Sequence, residues 1–242
     1  MQQIKWRIGC SGFSYSQWKD IFYPKRLPQK EWFEFYAQQF NTLELNVTFY
    51  RFPQLSSLQK WYQKSPPHFL FAVKVPKQIT HLKKFRETEE DIKLFYDVLS
   101  NGLKEKLGPV LFQLPPKLAY SEEILEAILN QTNASFTNAI EFRNQSWWRP
   151  DVMAALGEKN ITFCGVSFPG LEDSAVVNTA CCYYRFHGVP KLYYSDYEDA
   201  FLQSIVTQIK NSNKGNEAYL YFNNTASTAA LKDARFIQKL IS

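Results

Sequence analysis

No apolar run approaches the ~18 residues that a membrane-crossing helix needs, so no membrane partner is expected. The first ten residues, Met-Gln-Gln-Ile-Lys-Trp-Arg-Ile-Gly-Cys, hold no apolar core and no small-residue cleavage site, and no secretory leader is expected. Cysteine is scarce. Cys10, Cys164, Cys181 and Cys182 show no CxxC spacing, and the adjacent pair would point to opposite faces of a strand. Reduced thiols and a cytoplasmic location are the expectation. Histidine is scarcer still: His68, His81 and His187, with no HxH or HExxH spacing, so no cofactor is predicted. A single divalent ion held by His187, His81 and a glutamate is the alternative. No GxGxxG or Walker-type loop follows any strand. Charge of one sign is also modest. A net +5 is compatible with an anionic partner and falls well short of a nucleic-acid-binding tail.

What the chain does have is a repeated unit: an apolar strand, polar residues at its carboxyl end, a loop, then a helix. Strands are expected over residues 6–10, within 40–53, and over 69–75, 110–114, 139–143, 161–167, 182–188 and 218–223. Helices are expected over 31–40, 54–64, 88–99, 121–129, 151–159, 197–210 and 229–241, with Thr88 and Asp91 as a capping box. The stretch 168–179 shows no helical stripe. The run Phe49-Tyr50-Arg51-Phe52 reads as a continuation of the second strand, stopped by Pro53. About eight units in 242 residues, without a break in composition, predict one α/β domain over residues 1–242, a single-domain TIM (β/α)8 barrel. A doubly wound open sheet is the competitor.

Period-two alternation then gathers polar side chains at one end. Leu43 and Leu45 share a face, and Glu44 and Asn46 share the other. The same rule sends Lys74, Gln113, Glu141, Arg143, Arg185, His187 and Asn223 to the carboxyl ends of their strands. Buried charge costs several kcal/mol unless it is paired, so these groups are expected to neutralise one another, form a functional site, or both. Glu44 and Glu141 are the acid–base candidates, and His187 a proton donor. Lys74, Arg143 and Arg185 would hold an anion. A desolvated Lys74 could form a Schiff base, but nearby carboxylates would keep it charged. Asn46, Tyr50, His81, Gln113, Trp147 and Asn223 complete the candidate binding set. Tyr15, Trp18, Phe49, Tyr50, Trp147 and Trp148 read either as stacking surfaces or as loop packing.

Ordered motifs run through nearly the whole chain. They include Gly9-Cys-Ser-Gly-Phe-Ser-Tyr15, Phe40-Asn-Thr-Leu-Glu-Leu-Asn46 with Thr48-Phe-Tyr-Arg51, and Phe71-Ala-Val-Lys-Val-Pro76. Glu141-Phe-Arg-Asn144, Tyr184-Arg-Phe-His-Gly188 and Tyr221-Phe-Asn-Asn224 follow. Through these the sequence resembles the domain of unknown function 72, the YecE-like family. The resemblance implies a TIM barrel, no settled activity, and Glu44, Lys74, Glu141, Arg143, Arg185, His187 and Asn223 as motif residues. The chain departs at Phe13, where the family pattern usually has Trp, at Ser167 for a usual Asp, and at Asp233 for a usual Asn.

The expectation for function is an enzyme using acid–base chemistry on a small anionic or polyhydroxylated substrate. The alternatives are a nucleic-acid-binding or endonuclease-like protein using Lys74, Lys77, Lys83, Lys84 and Arg86, and a non-catalytic scaffold.

Overall fold

Among the described residues, nine parallel strand segments make two sheets. Apolar residues at every second position are covered by helices on one side, which is why the strands are short and the crossovers helical. A computed structural model describes residues 3–242. The first sheet has the order β1-β9-β8-β7: β1 (Lys5–Cys10), β9 (Glu217–Phe222), β8 (Cys181–Phe186) and β7 (Gly165–Ser167). The second has the order β2-β3-β4-β5-β6: β2 (Thr42–Leu45), β3 (Leu70–Lys74), β4 (Leu107–Gln113), β5 (Asn138–Glu141) and β6 (Ile161–Phe163). The expected α/β architecture of parallel strands and helices is therefore present.

The two sheets meet at both ends. β6 and β7 are halves of the one strand expected over 161–167, interrupted at Cys164, whose N–H donates to Ile140 O. At the other junction Gly9 of β1 packs against β2, where a Cβ would sit 2.2 Å from Thr42 O. The Tyr36 hydroxyl accepts from Cys10 N at 2.7 Å and donates to Thr42 O at 3.0 Å, and Asn41 Oδ1 accepts from Ile8 N. Only a residue without a side chain permits that approach at position 9.

The helices are α1 (Trp32–Gln39), α2 (Val47–Tyr50), α3 (Leu55–Lys64), α4 (Glu89–Leu103), α5 (Glu122–Gln131), α6 (Pro150–Glu158), α7 (Asp199–Lys210) and α8 (Ala229–Ile241). Their apolar stripes pack on strand residues such as Leu43, Phe71, Val73, Phe112, Ile140, Tyr184 and Leu220. A second, smaller cluster fills the opposite faces: Ala72, Leu111, Ala139, Cys164, Val166, Tyr183, Tyr219 and Tyr221. No helix of the described residues is long and apolar enough to cross a membrane.

Four local expectations change. β2 stops at Leu45, and Val47–Tyr50 is one turn of helix, not more strand. The Thr48 hydroxyl lies within hydrogen-bond distance of Leu45 O and Lys74 O, which ties this turn to β3. Thr88 caps no helix N–H; its hydroxyl donates to Gln131 Oε1 on α5. β4 starts at Leu107 and contains Gly108 and Pro109, with a register shift against β3 between Phe71 and Val73. His81, expected in a loop, lies on a short π-helix, Gln78–Lys83.

Candidate functional site

The polar ends of β2, β3, β4, β5, β8 and β9 converge on a cavity of about 460 Å³. Its floor is an ion network built on Arg185, which is fully buried. Each of the three guanidinium nitrogens bonds a carboxylate. Nε donates to Glu44 Oε1 at 2.8 Å, Nη2 to Glu44 Oε2 at 2.7 Å, and Nη1 to Glu141 Oε2. Glu44 also accepts from Tyr183 OH at 2.7 Å and Asn46 Nδ2 at 3.0 Å. Glu141 accepts from Arg143 Nε at 2.6 Å. Such two-pronged, charge-assisted pairing is what makes ions tolerable without water.

The network fixes the charge states. Burial alone would raise both glutamates. The Arg185 guanidinium outweighs it and holds Glu44 below the usual carboxylate range; Arg185 and Arg143 together hold Glu141 well below it. Burial would lower Arg185, but Glu141 and Glu44 hold it well above its ordinary value. Both carboxylates are thus anions with their lone pairs occupied, which makes them weak proton acceptors. His187 is fully buried. Asn223 Nδ2 meets its Nδ1 at 2.9 Å, and the tautomer that accepts there carries its proton on Nε2, 3.3 Å from Glu141 Oε1. Burial first, then Arg185, push its pKa down to about 4, so the ring is neutral at pH 7.

Lys74 behaves differently from its neighbours. It is 8% exposed, and its Nζ donates to Gln113 Oε1 at 2.8 Å and sits 4.0 Å from the centre of the Phe49 ring. It makes no carboxylate ion pair among the described residues, because Arg185 has taken both carboxylates. Burial and the Arg185 charge bring its pKa down to about 7. The nearby carboxylates raise it less than burial lowers it, so Lys74 is only partly charged near pH 7. Arg143 commits only Nε to Glu141; its guanidinium lies 4.8 Å from the centre of the Phe168 ring and lines the cavity. His81 faces the same space, its Nδ1 2.9 Å from Thr80 Oγ1, with burial and Lys74 lowering its pKa to about 4.

Of the residues singled out in the sequence, the binding candidates Asn46, Tyr50, Lys74, His81, Gln113, Arg143, Arg185 and Asn223, and the loop aromatics Tyr15 and Phe49, line the cavity. Glu44, Glu141 and His187 lie in the fully buried layer around Arg185. Trp147 does neither. It is fully buried, stacked on Phe142 at 4.4 Å, with its indole N–H on Leu118 O. Trp18 is likewise buried and anchored on Ser227 O. Ser11 and Tyr193 also line the cavity. Ser11 follows the last residue of β1, so the strand-end rule that found the others could have found it. Tyr193 comes from a loop and carried no such signal. Among the described residues, no three His, Cys, Asp or Glu side chains group as a metal-holding set. Of the expected basic cluster, Lys83 pairs with Asp91 and Arg86 with Glu123.

A family model described as protein of unknown function DUF72 matches residues 7–242. The chain belongs to the DUF72 family. A DUF72 protein from Thermotoga maritima MSB8 is similar over 98% of this chain and 100% of its own, at 27% identity and a TM-score of 0.87. A DUF72 protein from Enterococcus faecalis V583 shares the fold, with a TM-score of 0.83 at 20% identity over 98% of this chain and 95% of its own. The UPF0759 protein YunF of Bacillus subtilis (strain 168) is 29% identical over 138 residues, 54% of this chain; the match spans about half the length of that relative (49%). Two of the positions at which the resemblance leads one to expect a different residue are buried. Ser167 Oγ, at the end of β7, is buried with no hydrogen-bond partner. Asp233 accepts from Asn224 Nδ2 at 2.8 Å, and burial raises it to about 6.

Proposed function

We propose that this DUF72 protein is an enzyme acting by acid–base chemistry on a small phosphate- or carboxylate-bearing substrate, at the carboxyl mouth of one closed (β/α)8 barrel. Closure of the barrel is supported by the two junctions, Gly9 against Thr42 and the strand shared across Cys164. One observation carries the functional reading. The two carboxylates of the site are balanced by Arg185 and Arg143 together, so Lys74 is the cation left over, and it and the uncommitted guanidinium nitrogens of Arg143 face a cavity that can take an anion. A bound anion would also draw Lys74 toward its charged form, and an amine poised near neutrality can give and take a proton at low cost. Phe49, Tyr50 and Tyr193 supply apolar walls for the rest of the molecule. Four free cysteines, three of them buried, support a reducing, cytoplasmic setting.

The test is calorimetric titration of inorganic phosphate and of small carboxylates into the protein and into Arg143→Gln. A saturable anion site lost in the variant supports the proposal. Equal affinity in both proteins, or none in either, refutes it.

A further inference from the structure

The sequence suggests Lys74 as an anion-holding cation, with a Schiff base as the lesser reading; its surroundings favour the second. It is the last residue of β3, its amine enters the cavity floor, and among the described residues the one hydrogen-bond acceptor it meets is the amide oxygen of Gln113. The charged groups nearest to it are spoken for: Glu44 and Glu141 by Arg185 and Arg143, while His81 is neutral. The Phe49 ring covers it at 4.0 Å and excludes water from that side. A buried primary amine, covered by an aromatic ring and beside other cations, that opens onto an anion site is the arrangement that makes lysine a nucleophile toward carbonyl carbon.

We propose that Lys74 Nζ condenses with the carbonyl of a substrate that also bears a carboxylate or phosphate, forming an imine, with Arg143 holding the anionic group. This rests on the anion-binding reading above. In the step, the Nζ lone pair forms the N–C bond as the carbonyl π pair moves to oxygen. The two amine hydrogens then leave with that oxygen as one water molecule, and C=N replaces C=O. A proton from solvent converts the imine to an iminium, an electron sink that eases loss of a proton or a carbon–carbon bond at the adjacent carbon. Burial and Arg185 favour the reactive neutral amine, since they bring its pKa down to about 7. Gln113, whose own amide N–H is fixed on Leu114 O, presents its oxygen to the amine and orients the lone pair toward the cavity.

The experiment uses pyruvate and dihydroxyacetone phosphate as anionic probes and glycolaldehyde as a neutral one. Each is mixed with the protein in the presence and absence of borohydride. Hydride transfer reduces an iminium to a stable secondary amine, read by intact mass and located by peptide mapping. Calorimetry measures binding of the same probes separately. The expected result is one adduct per chain, on the peptide that carries Lys74, with the anionic probes well ahead of glycolaldehyde. The adduct is lost in both Lys74→Arg and Lys74→Met and is suppressed by inorganic phosphate. The wild-type map locates the adduct even if one variant folds poorly. Binding of the anionic probes with no adduct, or with label scattered over other lysines and unchanged in Lys74→Met, overturns the imine and leaves the anion site standing. An adduct on Lys74 that forms equally with glycolaldehyde, without measurable anion binding, overturns the anion site and with it this substrate class. Neither binding nor adduct refutes both.

Discussion

Replacing Arg185 by Met tests the ion network most directly. The substitution keeps volume and apolar packing and removes the only guanidinium that touches both Glu44 and Glu141. Breaking a buried ion pair from one side costs about 3–5 kcal/mol, because the partner charge is left without compensation. Here each carboxylate keeps something: Glu44 retains Tyr183 and Asn46, and Glu141 retains Arg143. The lower end, about 3 kcal/mol, is therefore expected, a large part of a stability of roughly 5–15 kcal/mol. For a chain of this size that is a fall in Tm of roughly 6–12 °C. The pH dependence sharpens the test. In the parent protein both glutamates lie below their ordinary range, so their contribution is present near neutrality and is lost as pH falls through the folded-state values. In Arg185→Met the same carboxylates, buried with weaker partners, move above their ordinary range. Their cost is then greatest at neutral pH and is relieved as protonation sets in, so the gap between the two proteins should narrow between about pH 7.5 and about pH 5. Urea unfolding at both pH values measures it. A loss under about 1 kcal/mol, or a gap that widens on acidification, would refute the network as the element holding the site together.

Arg143→Gln should weaken phosphate or carboxylate binding by about tenfold or more, the effect of losing hydrogen bonds to a charged ligand, while Glu141 stays paired to Arg185 and Tm moves little. Lys74→Met should stabilise the protein at pH 7 by about 0.5–2 kcal/mol, since a buried amine whose folded-state pKa is depressed binds protons better when unfolded. That gain should shrink as pH rises toward the amine's ordinary range; a gain independent of pH would remove the desolvation argument. Affinity for a dianion should fall as pH climbs through about 7 and Lys74 discharges, which titrations across that range would show or deny. Gly9→Ala, whose new methyl meets Thr42 O at 2.2 Å, should cost about 1–3 kcal/mol by pushing β1 from β2; an unchanged denaturation midpoint would mean the junction is loose.

Much of the site could be read from alternation alone. Glu44, Lys74, Glu141, Arg185 and His187 all obey the period-two rule, because strands covered by helices on one face must send every second residue to the other. The identity of each residue's partner could not be read in the same way. Glu44 meets Arg185 across 141 positions and Lys74 meets Gln113 across 39, and local pattern says nothing about which anion a given cation will find. That is why Lys74 was expected to be charged and is instead left without a carboxylate. Trp147 failed for a related reason. An aromatic in a polar loop looks exposed in one dimension, but Phe142 and Leu118 O close over it in three. The turn Val47–Tyr50 and the π-helix bearing His81 escaped because short helices are held by tertiary contacts, here Thr48 to β3, more than by propensity.

The span of the Arg185 network has a consequence during synthesis. A ribosome adding about 5–20 residues per second releases Arg185 roughly 7–28 s after Glu44, so every shorter chain carries Glu44 without its cation and Glu141 with Arg143 alone. Until then Glu44 and Glu141 resist burial, and the strands that bear them have reason to stay hydrated and unpaired at their carboxyl ends. Arrival of β8 removes that resistance at both acids in one event. The cavity thus assembles only after Arg185 has emerged, and a fragment ending before Arg185 should not bind an anion there.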